Sequence, residues 1–418
     1  MTGIAIVVAN MIGTGAFTSL GFQLVDLNNP LVIITLWVLG GVLALSGAFS
    51  YAEVGTAIKK SGGEYTFLSE IYHPLVGYLS GWISLTVGFA APVALSAIAV
   101  VKYFPYTNLP VKWTSIAVVA VVTFIHTLSL KTSSKFQNFS TLLKVILITA
   151  LIIIGLVSPE NSGTAFVGAN YFSEITSAAF AIALIYVSYS YTGWNAAIYI
   201  LEEFENPQKS IPYALIGGTL IVTVLYTLLQ YIFLKAAPIN ELAGQINVGT
   251  IVTQKMLGEH IGNLFSLAIS LLLISGISAM VWVGPRVTSS MAKDYLLWRF
   301  FQSKSNEIPT TALWLQFGIT ALFLLTGTFE QILIYCGVLL TASSALTVFG
   351  VFILRKHKTH NNSSAFKSPL FPIFQILYLL FSAGMIFFAF IDNTFETVLG
   401  VGNLVLGYGT WLINKKFF

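Results

Sequence analysis

Long apolar stretches recur along almost the whole chain, and they restrict the fold more than any other feature of the sequence. An α-helix needs about 20 apolar residues to cross a bilayer core, and many of these stretches are close to that length. Polar residues separate one stretch from the next. A closed transmembrane barrel would instead show segments of about ten residues with alternating polarity, whereas runs such as 113–125 do not alternate. We therefore predict an all-α membrane protein.

The balance of charged and apolar residues agrees with this prediction. Only 9% of the residues are charged and the mean hydropathy is +0.83, whereas about 25% of the residues of a soluble domain are charged. The net charge is +4, but the basic residues are distributed over short loops and do not form one stripe, so no nucleic acid partner is expected. The single cysteine excludes an internal disulfide framework. Met1 precedes an apolar segment without a basic region or cleavage motif, so we expect no cleaved targeting peptide.

Glycine, proline and charged residues divide the apolar sequence into twelve predicted transmembrane helices. Their approximate ranges are 4–26, 31–58, 75–101, 113–130, 138–157, 174–201, 211–235, 262–289, 311–328, 330–354, 369–391 and 395–413. With twelve spans both termini share one side, and 15 of the 20 Lys and Arg residues fall in loops on that side, against four on the other and Lys144 within a span. Positive loops stay in the cytoplasm, so both termini are expected there, in a plasma or inner membrane.

Two spans contain small and polar residues at mid-depth, where the others are continuously apolar. The first contains Ala9-Asn-Met-Ile-Gly-Thr-Gly-Ala16, and the sixth contains Ser188-Tyr-Ser-Tyr-Thr-Gly-Trp-Asn195. Irregular backbone is tolerated at this depth only where it lines a cavity, and paired interruptions in two halves of a chain are typical of a transporter's solute site. The alternative is that these small residues only allow close helix packing.

If the first span is interrupted, the main-chain N–H groups of Gly13, Thr14 and Gly15 would lie at the positive end of the second half-helix. Such a terminus suits a carboxylate, while carbonyls released at the end of the preceding half-helix and in the sixth span would accept hydrogen bonds from an ammonium group. A zwitterionic α-amino acid presents both groups. The two interruptions therefore predict an amino acid as the solute.

Short motifs along residues 4–390 occur in the order and spacing of a known family. They are Ile12-Gly-Thr-Gly-Ala-Phe17, Ser50-Tyr-Ala-Glu-Val-Gly55, Ser61-Gly-Gly-Glu-Tyr-Thr-Phe67, Gly81-Trp82, Gln137-Asn138, Leu142-Leu-Lys144, Tyr191-Thr-Gly-Trp-Asn195, Glu202-Glu-Phe-Glu-Asn-Pro207, Ile211-Pro212, Arg286 and Met291-Ala-Lys-Asp294. The ordered set resembles the amino acid–polyamine–organocation superfamily, above all its L-type amino acid transporters and their bacterial relatives. The cytoplasmic N-terminal tail usual in that family is missing, which suggests a truncated or shifted start.

The resemblance implies a particular architecture and a mechanism of alternating access. Residues 1–157 would form the first five-helix repeat, 174–354 a second, inverted repeat, and 369–413 two additional C-terminal helices. Helices one and six would be discontinuous. These divisions are expectations that the resemblance carries.

The same resemblance assigns roles to residues in both interruptions. Ile12, Gly13, Thr14 and Gly15 would hold the carboxylate of the substrate, with the Ile12 carbonyl turned toward its amine. The second interruption would supply further carbonyls and the side-chain pocket, through Tyr189, Ser190 and Thr192. The Tyr189 ring would also act as an outer gate. Asn195 would either line the pocket or form an interhelical hydrogen bond.

Ionisable residues within the spans are expected to have defined roles, because a charge at this depth costs ~3 kcal/mol or more. In the family, a lysine at the place of Lys144 faces the first helix, at the position where sodium-coupled relatives hold a sodium ion. Because the lysine supplies the positive charge there, the resemblance predicts transport without sodium. A lysine that snorkels to the interface is the alternative. Glu53 is expected to act in gating, paired with Arg286 or nearby lysines. For His126 we expect a buried, hydrogen-bonded ring rather than a proton carrier.

The expected function is secondary transport of small to medium neutral L-amino acids, as an exchanger or a proton-coupled carrier. Neither interruption contains a carboxylate that could pair with a cationic side chain, which favours a neutral amino acid. Thr192 stands where the L-type pattern often has glycine, and its extra bulk favours smaller substrates. An amino acid sensor without flux and a cationic amino acid or polyamine antiporter remain alternatives. We expect no enzyme activity, cofactor or metal. Cys336 does not match the extracellular cysteine of animal L-type transporters, so membrane lipid but no disulfide-linked partner subunit is expected.

Overall fold

The structure is a computed structural model that describes residues 3–105, 109–128, 133–160, 166, 170–303, 308–356 and 365–417. For residues 133–138 and 417 it describes the backbone only. Three lysines of the loop count, Lys131, Lys304 and Lys358, lie outside the described residues, as do the side chains of Gln137 and Asn138. Every regular element in the described part of the chain is helical.

The helices follow one another in a single series. The α-helices are α1 Gly3–Met11, α2 Gly15–Asp26, α3 Pro30–Ile58, α4 Glu64–Ile71, α5 Pro74–Ile83, α6 Ala90–Tyr103, α7 Val111–Leu128, α8 Ser133–Val157, α9 Tyr171–Ile175, α10 Ala178–Ser190, α11 Pro207–Ala236, α12 Ile239–Leu242, α13 Val248–Leu257, α14 Glu259–Asp294, α15 Thr310–Thr326, α16 Phe329–Lys356, α17 Ile373–Asp392 and α18 Thr394–Phe417. A π-helical turn, Ser84–Gly88, joins α5 to α6, and 3₁₀ helices form at Ala196–Glu203 and Leu296–Phe301.

Eight helices of the described chain are long and apolar enough to cross a membrane, counting Pro74–Tyr103 as one span. The pair α1 and α2 adds a ninth if it forms a single bent span. Two shorter apolar helices, α10 and α15, correspond to predicted spans six and nine. The chain is therefore a multi-pass integral membrane protein, with predicted boundaries such as 31–58 close to the observed Pro30–Ile58.

The ends of α3 show how the local sequence sets a helix boundary. The Asn29 side chain accepts a hydrogen bond from the Leu31 N–H at 2.9 Å, and Pro30 occupies the first helical position. Both features favour a helix start, because the first amides of a helix lack internal partners and proline needs none. At the other end Lys59 adopts a left-handed conformation, with φ of 59°, and its N–H bonds to the Gly55 carbonyl.

Four helices of residues 1–157 pack against helices of residues 174–354. The contacts join α2 to α10, α3 to α11, α6 to α14 and α7 to α15. The largest fully buried side chains include Trp37, Tyr191 and Tyr226, whose rings lie within 6.0 Å of one another between α3, α11 and the end of α10. These three rings join α3 and α11 to the end of α10.

Candidate functional site

The first predicted span is interrupted where small and polar residues occupy its middle. α1 ends at Met11 and α2 begins at Gly15, with an angle of 41° between them. The Tyr226 hydroxyl of α11 donates to the Met11 carbonyl at 2.6 Å. Gln230, one turn further along α11, donates to the Ala16 carbonyl at 2.9 Å. Side chains of α11 therefore satisfy much of the irregular backbone.

The start of α2 keeps three main-chain N–H groups without a partner among the described residues. They belong to Thr14, Gly15 and Ala16, and the Thr14 side chain does not cap them. A helix N-terminus with unsatisfied N–H groups attracts anions. Two of these residues, Thr14 and Gly15, are among the predicted carboxylate donors.

The sixth predicted span is interrupted as well, but after its centre. α10 ends at Ser190, residues 191–195 form turns, and the chain continues as a 3₁₀ helix. Gly193 adopts φ of 99°, a conformation that other residues rarely adopt. The Thr192 N–H and hydroxyl both donate to the Tyr189 carbonyl, at 2.9 and 2.7 Å. In this conformation the Tyr189 carbonyl, expected to receive the substrate amine, therefore has two protein donors.

The two interruptions contact each other directly. The Ser19 and Ser190 hydroxyls are 2.8 Å apart, and the Thr14 hydroxyl lies 3.5 Å from that of Tyr189. A Cβ atom on Gly15 would lie 2.5 Å from the Ser190 Cα, and one on Gly193 would lie 2.7 Å from the Asn10 carbonyl carbon. Glycine is thus required for the close approach of the two segments.

A cavity of about 360 Å³ opens beside the interruptions. Its polar wall is formed by Asn10, Glu64, Ser84, Thr192, Asn195, Tyr199, Ser343 and Ser344. Of the predicted substrate residues, Thr192 and Asn195 line this cavity, whereas residues 12–15, Tyr189 and Ser190 do not. Tyr189 lines a second cavity of about 40 Å³, which Thr192 also borders. The role of Tyr189 as a gate stays a prediction.

Lys144 points into the protein. Its side chain is 7% exposed, and its ammonium group lies 3.7 Å from the position that a Gly276 side chain would take in α14. No ion pair or hydrogen bond joins it to another described residue. The snorkelling alternative therefore does not describe this conformation.

Glu53 and Arg286 do not form the ion pair that the sequence suggested. Glu53 accepts two hydrogen bonds from the Arg355 guanidinium of α16, at 2.7 and 2.8 Å, and one from the Ser368 N–H at 2.8 Å. Arg286 instead donates to the Trp282 carbonyl and lies 3.7 Å above the Trp282 ring. The expectation failed because the pairing partner is set by helix packing: α16 contacts α3, which brings Arg355 beside Glu53.

His126 forms the hydrogen bond that the sequence led us to expect. Its Nε2 atom lies 2.8 Å from the Ser278 hydroxyl of α14, in a half-buried position. Among the described residues, no group of three His, Cys, Asp or Glu residues could hold a metal ion.

Glu64 is a charged residue of the cavity wall that the sequence did not lead us to expect there. It is 6% exposed and accepts hydrogen bonds from the hydroxyls of Tyr51 and Tyr199 and from the Asn195 side-chain amide, at 2.9, 2.6 and 2.5 Å. Its signal was present in the motif Ser61-Gly-Gly-Glu-Tyr-Thr-Phe67. That motif supported the family resemblance, but no role was drawn from its carboxylate.

The helical bundle, the two touching interruptions and the adjoining cavity define a multi-pass membrane transporter. The sequence profile of the family described as "Amino acid permease" matches residues 1–406, so this chain belongs to that family. It is accordingly a transporter of amino acids and not an enzyme.

Curated relatives cover nearly the whole chain. It is 27% identical to the serine/threonine exchanger SteT of Bacillus subtilis (strain 168), over 97% of this chain and 94% of that protein. It is 28% identical to the human cystine/glutamate transporter, over 96% of this chain and 81% of the relative. The mouse Asc-type amino acid transporter 1 is 26% identical, over 96% and 77% of the two chains.

Proposed function

We propose that this permease moves small to medium neutral L-amino acids by alternating access, as an exchanger or a proton-coupled carrier, in a plasma or inner membrane with both termini in the cytoplasm. The observation that carries the proposal is the contact between the two interruptions beside the 360 Å³ cavity. Irregular backbone at membrane depth is costly unless it lines a cavity.

The chemistry of the site supports a zwitterionic solute. The N–H groups of Thr14, Gly15 and Ala16 have no partner among the described residues and suit a carboxylate, although none of the three residues lines the cavity in this conformation. The Asn195 side-chain amide on the cavity wall offers an acceptor for an ammonium group. Thr192 borders both cavities, where its side chain would limit the size of a substrate. Among the relatives, a serine/threonine exchanger fits small neutral substrates.

The packing of corresponding helices supports an inverted repeat as the moving framework. Contacts of α2 with α10, α3 with α11, α6 with α14 and α7 with α15 join four helices of 1–157 to helices at the same positions of 174–354, and a pseudo-twofold axis between the two repeats would produce such contacts for helices near it. The remaining helices, in 369–413, would lie outside the repeat.

Counterflow in proteoliposomes tests the proposal. Purified protein is reconstituted with unlabelled alanine inside, and uptake of labelled alanine is compared with that of liposomes loaded with buffer alone. Exchange should be at least tenfold faster with internal alanine if the protein is an exchanger. Binding of alanine without flux in either condition would favour the sensor. Flux of lysine or a polyamine without flux of alanine would favour the cationic antiporter.

Sodium dependence gives a second test, which concerns Lys144. The buried ammonium group already supplies a fixed positive charge between α8 and α14, so no sodium ion is needed there. Replacement of sodium by choline in the same assay should change the alanine flux by less than about twofold. A fall of tenfold or more would show that the lysine does not replace sodium in this protein.

A further inference from the structure

Glu64 and Asn195 form a connected pair at the edge of the second interruption. The Asn195 side-chain nitrogen donates to Glu64 Oε1 at 2.5 Å, and both residues line the 360 Å³ cavity. Asn195 comes directly before the 3₁₀ helix but does not cap it with its side chain. Its amide oxygen accepts no hydrogen bond from another described residue.

The segment that carries Glu64 is held firmly against the same 3₁₀ helix. The Ser61 hydroxyl accepts a hydrogen bond from the Glu202 N–H at 3.0 Å. Gly63, with φ of 64°, lies so close to the Tyr199 ring that a Cβ atom would overlap it. The Tyr199 hydroxyl binds Glu64 Oε2 at 2.6 Å. Glu64 is therefore fixed relative to Asn195 before any solute enters.

The chemistry of a carboxylate determines how the amide is turned. A carboxylate only accepts hydrogen bonds, and the three polar groups around Glu64, from Tyr51, Tyr199 and Asn195, all donate to it. The amide of Asn195 must therefore present its nitrogen to Glu64. Its oxygen is left as the atom available to a solute in the cavity.

The ammonium group of a substrate needs a hydrogen-bond acceptor here, because nearby main-chain carbonyls already accept hydrogen bonds from protein side chains or amides. Tyr226 donates to the Met11 carbonyl, and Thr192 donates twice to that of Tyr189. An oriented amide oxygen beside a carboxylate complements an ammonium group, which only donates.

We propose that Glu64 is a positioning residue that orients the Asn195 amide, so that its oxygen accepts a hydrogen bond from the α-ammonium group of the substrate. The inference rests on the proposed function and adds to it the orientation of the Asn195 amide by Glu64. Glutamine at position 64 could also donate to the Asn195 oxygen, so a Glu64→Gln variant would no longer determine how the amide is turned.

The test compares alanine with lactate, which carries a hydroxyl in place of the ammonium group. Inhibition constants for both are measured against alanine counterflow for the wild type, Glu64→Gln, Asn195→Ala and the double variant. In Glu64→Gln we expect KM for alanine to rise about tenfold with kcat changed less than threefold, and the preference for alanine over lactate to fall about tenfold. Glu64→Asp, which keeps the carboxylate, should recover part of that preference.

The double variant separates positioning from independent effects. If Glu64 acts through Asn195, the double variant should differ from Asn195→Ala by less than twofold in its preference for alanine over lactate. Independent, multiplying losses would overturn the proposal. An unchanged preference for alanine over lactate in either single variant would also overturn it. If Glu64→Gln does not fold, Asn195→Ala alone provides this test. Glu259→Gln, the same charge change at the exposed start of α14, is the matched control.

The result also distinguishes this inference from the proposed function. Absence of any amino acid flux in the wild type would reject the proposed function. Normal alanine flux in the wild type, with a preference over lactate that no variant alters, would leave the transport of amino acids standing and reject the roles of Glu64 and Asn195 in recognising the ammonium group.

Discussion

Gly15 shows how much can depend on one missing side chain. It begins α2 and lies against the backbone of Ser190, where α10 ends. The contact lets two interrupted segments from distant parts of the sequence approach within hydrogen-bonding distance, as the 2.8 Å between the Ser19 and Ser190 hydroxyls illustrates.

We predict that Gly15→Ala strongly impairs the protein. The new Cβ atom would lie 2.5 Å from Ser190 Cα and 2.7 Å from its Cβ, and forced overpacking costs about 1–3 kcal/mol. Alanine flux should fall at least tenfold, and the thermal midpoint in detergent should decrease.

Gly384→Ala provides the matched control for this substitution. Gly384 lies within α17, and no atom lies within 4 Å of the position that a Cβ atom would take there, so flux and midpoint should stay close to those of the wild type. If Gly15→Ala behaves like this control, the segments are not in close contact in the working protein.

At the scale of the elements, Glu53 links α3 to α16 by an ion pair and to the segment before α17 by a hydrogen bond. Glu53 of α3 is 8% exposed and pairs with Arg355 of α16, while it also accepts the Ser368 N–H. Nearby, Gln375 of α17 donates to the Ser50 hydroxyl of α3 at 3.0 Å. The first of the two C-terminal helices is therefore joined to the first half of the chain by polar contacts.

We predict that Glu53→Gln destabilises the protein by about 3 kcal/mol, because it leaves a largely buried guanidinium without its carboxylate. The measurement is the thermal or denaturant-induced unfolding of the purified protein. Glu241→Gln, which disrupts the exposed pair with Lys255 at 2.8 Å, should cost less than about 1 kcal/mol. Equal effects of the two substitutions would mean that the buried pair is not a structural connection.

The interruption of the first helix was predictable from the sequence, but its partners were not. Two glycines and a threonine weaken the helix at 13–15 wherever it packs. Tyr226 and Gln230, in contrast, reach the Met11 and Ala16 carbonyls from α11, more than 200 residues away. Which face of α11 meets the interruption depends on tertiary packing, and so does the meeting of Glu64 with Asn195. The cavity residues were thus predicted only in part.

At the scale of the whole molecule, the distribution of positive charge predicts the orientation in the membrane. Lys60 follows α3 on the side assigned to the cytoplasm, and Glu259 begins α14 on the opposite side. Both residues are exposed, while the native Cys336 is buried. Cysteines introduced at these two positions can therefore be labelled selectively.

We predict that a membrane-impermeant maleimide labels Glu259→Cys in intact cells and labels Lys60→Cys only after the membrane is permeabilised. The wild type should remain unlabelled in both conditions and serves as the control. The reverse pattern would invert the assigned topology. Labelling of both variants from outside would mean that the number of spans between them is even, contrary to the predicted spans.

The π-helical turn at Ser84–Gly88 forms part of the cavity wall. Both end residues of the turn border the cavity, and such a turn holds one residue more than regular α-helix would. Since each residue of a helix adds about 100° of rotation, moving that surplus residue along the chain would turn the side chains it passes. Local rewinding within Pro74–Tyr103 would therefore change the outline of the cavity without requiring either end of that helix to move.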